Sequence, residues 1–203
     1  MRDVFLEVRK QIVPVLLNTE MNAELLGKVP HRDIYDMSQV YYLLEDEGMR
    51  AFENGDLEYY DVSEDQLYKD CCENAPHSRQ AVLCSALYDA ILTEDPELVK
   101  LQEEAAKDDG VIYTLSNSDR FYGSGVMLYP DTLENLKNGF GGGFYLMPLT
   151  IHDVLVFPLL RSEDVDAEMK DLLELYETTV VGKEDRLSER LFYYDDGGLQ
   201  EVG

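Results

Sequence analysis

Two short segments of the sequence hold the residues best suited to catalysis or binding. His152 and Asp153 are neighbours between two apolar runs, and Asn117 and Arg120 lie in the polar stretch SNSDRFYGSG, residues 116–125. Because neighbouring residues of a strand point to opposite faces, an adjacent His and Asp do not form a ready-made catalytic pair. In a turn they could converge, but no serine or cysteine nucleophile is identified near them in the sequence. A structural histidine is therefore favoured over a catalytic one, and no catalytic residue is assigned.

The stretch 116–125 itself has the composition of a hairpin loop. Its Asn, Ser and Asp residues are turn formers that hydrogen-bond their own backbone, and Gly123 and Gly125 permit a positive φ. A nucleophile elbow requires Gly-x-Ser-x-Gly, whereas here both glycines are direct neighbours of Ser124. We therefore predict a loop between two strands, with GVMLYP as the return strand.

A third candidate is the pair His31 and Arg32, in an extended, turn-prone segment after Pro30. A guanidinium presents several donors to an anion, so this pair has some capacity for anion binding, although a structural role is favoured. The candidate binding residues are thus His31, Arg32, Asn117, Arg120, His152 and Asp153.

The cysteine and glycine patterns argue against a metal site and a phosphate loop. Cys71 and Cys72 are adjacent on the apolar side of a predicted helix, whereas zinc ligands are usually separated by roughly two to four residues. The run NGFGGGF leads from a helix into a strand, and phosphate-binding loops run in the opposite direction. We therefore expect neither a metal nor a cofactor. Three cysteines without framework spacing favour a reducing compartment.

Charge is the strongest compositional signal. The chain has 42 acidic and 17 basic residues, which gives a formal net charge of −25. Such a field repels nucleic-acid phosphates and anionic membranes, so direct binding to either is not expected. No run approaches the ~18 apolar residues of a membrane span, and no signal peptide is visible, so a cytoplasmic location is predicted. The acids of one predicted helix could instead copy a row of phosphates: Glu163, Asp164, Asp166, Glu168, Asp171, Glu174 and Glu177.

The elements that must position the candidate residues begin with strands and continue into helices. IVPVLLN, residues 12–18, is predicted as an edge strand because Pro14 has no N–H to donate. MSQVYYLLEDE, residues 37–47, is a second strand, and Gly48 turns into a third. A Ser63–Gln66 capping box starts a helix that Pro76 is expected to stop. Helices are predicted over three middle stretches, 63–75, 79–92 and 95–107.

Strands dominate the C-terminal half. VIYTLS, GVMLYP, GFYLMP and DVLVFPLL have strand character, a short helix runs from Asp131 to about Lys137, and a DG-containing turn marks a final hairpin. Ser162 or Asp164 caps a helix with an apolar stripe of Val165, Met169, Leu172, Leu173 and Tyr176. The sum is an α+β fold, a largely antiparallel sheet packed against several helices. We predict one domain over residues 1–203, with two sub-lobes, 1–108 and 109–203, as the alternative.

Five strings occur in this order along the chain: NTEMNAELLGKVPHRDIYDMSQVYYLL, VSEDQLYKDCCENAP, YTLSNSDRFYGSGVMLYPDTLENL, FYLMPLTIHDVLVFP and RLSERLFYYDDGGL. Together they resemble the uncharacterised bacterial proteins of domain of unknown function 5688, found mainly in gut Firmicutes. The likeness spreads over most of the chain. It implies a bacterial cytoplasmic α+β protein without an assigned activity or known catalytic residues.

Three functional hypotheses remain. The leading hypothesis is a non-enzymatic cytoplasmic protein that binds another protein, because no nucleophile, metal set or phosphate loop is recognisable. One alternative is an acidic inhibitor that mimics DNA and occupies a DNA-binding protein. The other is an enzyme with its site around His152, Asp153 and the loop 116–125, which requires these groups to share a cleft.

Overall fold

The computed structural model describes residues 2–46, 48–86, 96, 99–100, 112–179 and 182–203. Within them, two antiparallel sheets of four and six strands are accompanied by helices, so the predicted α+β fold with antiparallel pairing is confirmed. No helix in this part of the chain has both the length and the apolar character needed to cross a bilayer.

The first sheet is built around one long central strand. β3 (Met37–Glu45) pairs along one side with β1 (Ile12–Asn18) and along the other with β2 (His31–Ile34) and then β4 (Gly48–Ala51). β1 is an edge strand, as Pro14 predicted, because a proline N cannot complete a ladder on both sides.

The second sheet has six strands and includes the final hairpin that the sequence predicted. Its order is β10-β9-β7-β8-β6-β5, and every pairing is antiparallel. The strands are β5 (Ala81–Ser85), β6 (Tyr113–Asn117), β7 (Phe144–Met147), β8 (Val154–Phe157), β9 (Phe192–Asp195) and β10 (Gly198–Glu201).

Six α-helices are described: α1 (Arg2–Val8), α2 (Ala23–Leu26), α3 (Asn54–Tyr60), α4 (Glu64–Ser78), α5 (Thr132–Phe140) and α6 (Glu163–Thr179). α4 starts where predicted, with the Ser63 hydroxyl accepting the Gln66 N–H at 3.2 Å. It continues past Pro76, however, because a proline in the last turn removes a single hydrogen bond and the Arg79 N–H still reaches the Ala75 carbonyl at 2.9 Å. α5 likewise outlasts its predicted end and stops at Gly141, whose φ is +77°.

Two predicted elements are wrong. The stretch predicted as a helix from Arg79 contains strand β5 instead, because a short apolar run fits either period and pairing with β6 decides it. The remainder of that prediction and almost all of the helix predicted over 95–107 lie outside the described residues. The segment Ser124–Leu128 is a 3-10 helix rather than a return strand, and it contacts both β1 and β6.

The apolar core forms two clusters on the second sheet. The larger one joins the two sheets and α4, and it includes Ile12, Leu16, Val40, Leu67, Cys71, Phe144, Val156 and Phe192. The smaller one packs α6 on the opposite face of the second sheet through Tyr145, Met147, Met169, Leu173 and Tyr176, which confirms the helical stripe. Burying each such side chain stabilises the fold by about 1.5–3 kcal/mol. The loop 116–125 starts at the end of β6, and the 3-10 helix that begins at Ser124 contacts β1 of the first sheet.

Candidate functional site

The six candidate residues lie in two separate places. His31 and Arg32 are in β2 of the first sheet, whereas Asn117 and Arg120 follow β6 of the second. His152 and Asp153 are in the turn between β7 and β8. The structure brings the loop 116–125 and this turn together, because the Ser124 N–H donates to the Ile151 carbonyl at 3.3 Å.

Asn117 closes the loop from inside. Its side chain, with the residue only 2% exposed, accepts the N–H groups of Asp119 at 3.1 Å and of Phe121 at 3.3 Å. The Asn117 amide then donates to the Phe121 carbonyl at 2.9 Å. The sequence predicted a turn former that bonds to its own backbone, and this part of the prediction is confirmed.

Arg79 is a second internal support, which sequence reasoning missed. It is 9% exposed, its Nη1 donates to the Phe121 carbonyl at 3.0 Å, and its Nε lies 3.0 Å from an Asp119 carboxylate oxygen. The Tyr129 hydroxyl donates to the Arg79 carbonyl at 3.0 Å, and burial raises the pKa of that hydroxyl. One buried guanidinium thus holds both the backbone and a side chain of the loop.

His152 joins the loop to the neighbouring turn through both ring nitrogens. Nδ1 accepts the Tyr122 N–H at 3.1 Å, and Nε2 lies 3.3 Å from Asp185 Oδ1. Nδ1 thus acts as an acceptor, which leaves Nε2 as the ring nitrogen that faces Asp185. The carboxylate beside His152 is therefore that of Asp185 and not that of its sequence neighbour Asp153, which accepts the Thr150 hydroxyl at 2.8 Å.

Asp185 reaches this position through backbone pairing that the sequence does not reveal. The Ile151 N–H donates to the Asp185 carbonyl at 2.9 Å, and Thr150 forms an isolated antiparallel bridge with Arg186. The nearby hydroxyls are also engaged with backbone. Ser116 donates to the His152 carbonyl at 2.8 Å, and Ser124 donates to the Ile151 carbonyl at 2.9 Å.

The loop backbone is strained at residues other than glycine. Arg120 and Tyr122 have φ values of +54° and +50°, in the left-handed region that costs an L-residue roughly 1–2 kcal/mol. The prediction that glycines supply the positive φ is therefore wrong, since Gly123 has φ −89°.

The glycines instead allow close approach of neighbouring chain segments. A Cβ on Gly123 would lie 2.1 Å from the Ser116 hydroxyl oxygen and 2.5 Å from the His152 carbonyl oxygen. A Cβ on Gly125 would lie 2.5 Å from the carbonyl oxygen of Pro14 in β1. These positions must lack a side chain for the loop to pack against the turn and the first sheet.

This bracing holds a group of aromatic rings in which Phe121 is exposed and the others are partly buried. We call the group the Phe121 surface: Tyr42, Phe121, Tyr122 and His152. Phe121 is 47% exposed, and its ring centroid lies 4.6 Å from that of Tyr122 and 5.4 Å from that of His152. The rings of Tyr122 and His152 are 5.6 Å apart, and Tyr42 of β3 stacks on Tyr122 at 5.8 Å. Burial, and then the nearby Tyr122, raise the pKa of Tyr42.

Arg120 lies at the border of the Phe121 surface. Its side chain is exposed, and Nη2 donates to the sulfur of Cys84 in β5 at 3.1 Å. Cys84 is a free, partly exposed thiol. Among the described residues, no group of three or more His, Cys, Asp or Glu side chains has the arrangement of a metal site.

The other candidate pair belongs to a different kind of cluster. Arg32 donates to both carboxylate oxygens of Glu64 at 2.6 and 2.9 Å and to Asp65 at 2.7 Å, and its guanidinium lies 3.8 Å from the centroid of the Tyr68 ring. The Tyr41 hydroxyl also donates to Glu64. The hydrogen bond from Arg32 is the main reason that the pKa of Glu64 lies below its usual value. We call these five residues the Arg32 cluster.

His31 makes no comparable network. Its Nδ1 lies 3.0 Å from the Val29 carbonyl oxygen, and its Nε2 lies 3.9 Å from an Asp33 oxygen. The acidic face of α6 is exposed at Glu163, Asp164, Glu168, Asp171 and Glu174, but Asp166 is partly buried because it accepts the Tyr145 hydroxyl at 2.6 Å and pairs with Arg161.

Comparison with known proteins gives one match. The model of a family described as "Family of unknown function (DUF5688)" matches residues 3–196, which confirms the resemblance noted from the sequence. No curated protein matches, and no solved structure matches.

Proposed function

This chain belongs to DUF5688, a family of unknown function, and we propose that it is a non-enzymatic bacterial protein that binds another protein in the cytoplasm through the Phe121 surface. The observation that carries the proposal is that buried polar side chains and strained backbone hold an aromatic residue in solvent.

Keeping the Phe121 side chain exposed to solvent is unfavourable for folding. Fully burying a phenylalanine side chain stabilises a protein by about 1.5–3 kcal/mol, and roughly half of this contribution is lost at a residue that is 47% exposed. The two left-handed residues beside it add a cost of roughly 1–2 kcal/mol each. Strained positions persist only where the surrounding structure enforces them, and they are concentrated at functional sites.

The supports of the loop fit a binding surface. The Phe121 carbonyl receives two hydrogen bonds, from Asn117 and Arg79, and its N–H donates a third. A side chain whose backbone is fixed in this way loses little conformational freedom on binding, so more of its contact energy contributes to affinity. Aromatic side chains and arginine are also the residues most enriched among interface hot spots, and both occur here.

The same geometry gives less support to an enzyme. A general base needs a free ring nitrogen within reach of a nucleophile, but Nδ1 of His152 accepts a backbone N–H and Nε2 points to Asp185. The hydroxyls of Ser116 and Ser124 donate to backbone carbonyls of the turn. This arrangement is better suited to holding two segments together than to transferring a proton.

The proposal can be tested by affinity capture from lysate of the cells that express the protein, followed by purification of the captured partner and calorimetric titration. The wild type is compared with Phe121→Ala and with Tyr59→Ala, a matched control that removes another exposed aromatic side chain, 59% exposed and located on α3. We expect Phe121→Ala to weaken binding by about 30-fold or more, the effect of a hot spot, and Tyr59→Ala to leave it unchanged.

Two results would overturn the proposal. One is a partner that binds Phe121→Ala as tightly as the wild type. The other is the absence of any protein that forms a stoichiometric complex with the wild type after purification. A partner that is released by DNA, and that is lost when the exposed acids of α6 are replaced but not when Phe121 is, would support the DNA-mimic alternative instead.

A further inference from the structure

The electrostatic surroundings of the Phe121 surface indicate what kind of group it would bind. Resting on the proposed function, we propose that its partner inserts a cationic side chain, lysine or arginine, against the aromatic rings and beside Asp185. This assigns Asp185 as a binding residue and a basic segment as the partner's contacting element.

The first step is that no lysine or arginine is placed against the Asp185 carboxylate among the described residues. Its one ion-pair contact there is with the imidazole of His152, whose Nδ1 already accepts the Tyr122 N–H. The Asp185 side chain is 43% exposed, so its carboxylate is accessible from solvent. Asp119 differs, because the guanidinium of Arg79 offsets its charge.

The second step is that three arginines near this carboxylate in the chain or in the loop have contacts elsewhere. Arg186 forms an ion pair with Glu189 at 2.9 Å. Arg79 is held by Asp119 and the Phe121 carbonyl, and the guanidinium of Arg120 lies against the sulfur of Cys84. Within the described residues, no lysine or arginine forms an ion pair with Asp185, and no arginine lies over the rings of the Phe121 surface.

The third step is that the rings suit a cation. The faces of Tyr, Phe and Trp rings attract lysine or arginine cations placed within about 6 Å of the ring centroid. The Phe121 and Tyr122 rings pack edge to face with centroids 4.6 Å apart, so a cation would lie against the outer side of this pair and not between the rings. The chain already contains such a contact, with the Arg32 guanidinium 3.8 Å from the Tyr68 centroid. A net charge of −25 would further draw a basic segment to the protein.

The test uses three synthetic peptides of the same Gly-Ser backbone that carry lysine, Nε-acetyl-lysine or no such side chain. Each is titrated into the isotopically labelled protein while the NMR signals of Phe121 and Tyr122 are followed. We expect the lysine peptide to shift both sets of signals in a saturable and salt-sensitive way, and the other two peptides to leave them in place, because acetylation removes the charge and keeps most of the size.

The decisive variant is Asp185→Asn, which removes the charge and keeps an oxygen that can accept the His152 N–H. We expect it to weaken lysine-peptide binding about fivefold or more. Asp196→Asn is the matched control, since it also removes one negative charge at an exposed position, where Asp196 pairs with Lys137. Equal binding of the acetylated peptide, no lysine-dependent shift at millimolar peptide, or equal losses in the two variants would overturn the inference.

The same variants distinguish this inference from the proposed function. If the captured partner is lost with Phe121→Ala but binds Asp185→Asn normally, the function stands and the cation inference is overturned. If neither variant affects the partner, both are overturned. Loss of the partner with both variants, at unchanged Asp196→Asn binding, supports both.

Discussion

Arg32 and Asn117 both lie in strands, and the side chains of both form hydrogen bonds within the protein, but the two groups serve different purposes. In the Arg32 cluster, the guanidinium, two carboxylates and two tyrosines connect β2 and β3 to the start of α4. Around the Phe121 surface, Asn117 and Arg79 direct their donors and acceptors at the backbone of one loop. The first group joins elements, and the second group displays a side chain.

This difference shows how a candidate binding residue can be assessed from its contacts. Arg32 has the right chemistry for an anion, but its donors already bind Glu64 and Asp65, so a ligand would have to displace strong charge-assisted bonds. Asn117 is buried and cannot touch a partner at all. Its role is to fix the loop backbone, through its hydrogen bonds to Phe121, so binding is expected at the Phe121 side chain.

The largest loss of stability around the Phe121 surface is expected at Gly123. We expect Gly123→Ala to lower the free energy of unfolding by about 3 kcal/mol or more, because the new Cβ would lie within 2.7 Å of the Ser116 hydroxyl, the His152 carbonyl and the Asn117 N–H. Urea denaturation measures the change. Gly139→Ala is the control: that glycine is in α5 with no atom within 4 Å of the new Cβ, so stability should rise by up to about 1 kcal/mol.

If Gly123→Ala were as stable as Gly139→Ala, the loop would tolerate displacement, and the account of a fixed Phe121 would fail. If the variant does not fold, the smaller change at Asn117 still tests the same idea.

Asn117→Ala should cost about 2–3 kcal/mol, since it removes three hydrogen bonds and leaves the N–H groups of Asp119 and Phe121 without their acceptor. Amide hydrogen exchange at Asp119 and Phe121 should accelerate more than in the strands, because these two N–H groups lose their acceptor. Asn138→Ala, an exposed position in α5, should change stability by no more than about 0.5 kcal/mol. Unchanged exchange at Phe121 in Asn117→Ala would contradict the bracing role.

Several strands and helices of the fold can be predicted from the local sequence, because the chemistry of nearby residues determines them. Pro14 marks an edge strand because it lacks an N–H, and Ser63 marks the start of α4 because its hydroxyl caps a backbone N–H. The stripe from Val165 to Tyr176 repeats at the helical period and packs on the second sheet. Each of these signals arises from residues within a few positions of one another.

The candidate site was harder to predict because its contacts come from distant segments. Asp185 meets His152 through backbone pairing between two loops, and the sequence around neither residue indicates it. Arg79 was predicted as the first residue of a helix, whereas it precedes a strand and is buried beneath the loop. The left-handed backbone of Arg120 and Tyr122 has no marker in residue type, since neither is glycine or asparagine.

The Arg32 cluster can be tested by the pH dependence of stability. In the folded protein the pKa of Glu64 is lowered, chiefly by the hydrogen bond from Arg32, whereas in the unfolded chain it returns to its ordinary value near ~4.3. The stabilisation from the ionised carboxylate is therefore fully present above that ordinary value and is lost as the pH falls through the lower, folded value. We expect Glu64→Gln to be about 1–2 kcal/mol less stable than the wild type at neutral pH, and the difference to shrink below about pH 4.

Urea denaturation of both proteins across this pH range measures the difference, and other carboxylates cancel because both proteins share them. Glu24→Gln is the control, since Glu24 forms an exposed pair with Lys28 at 2.8 Å and such pairs contribute little, about 0.5 kcal/mol or less. Glu64→Gln should also leave the Phe121 surface unchanged, because Glu64 binds Arg32 and Tyr41 and contacts none of its rings in the described network. A pH-independent difference would show that Glu64 acts by packing, and altered partner binding in this variant would show that the two clusters are coupled.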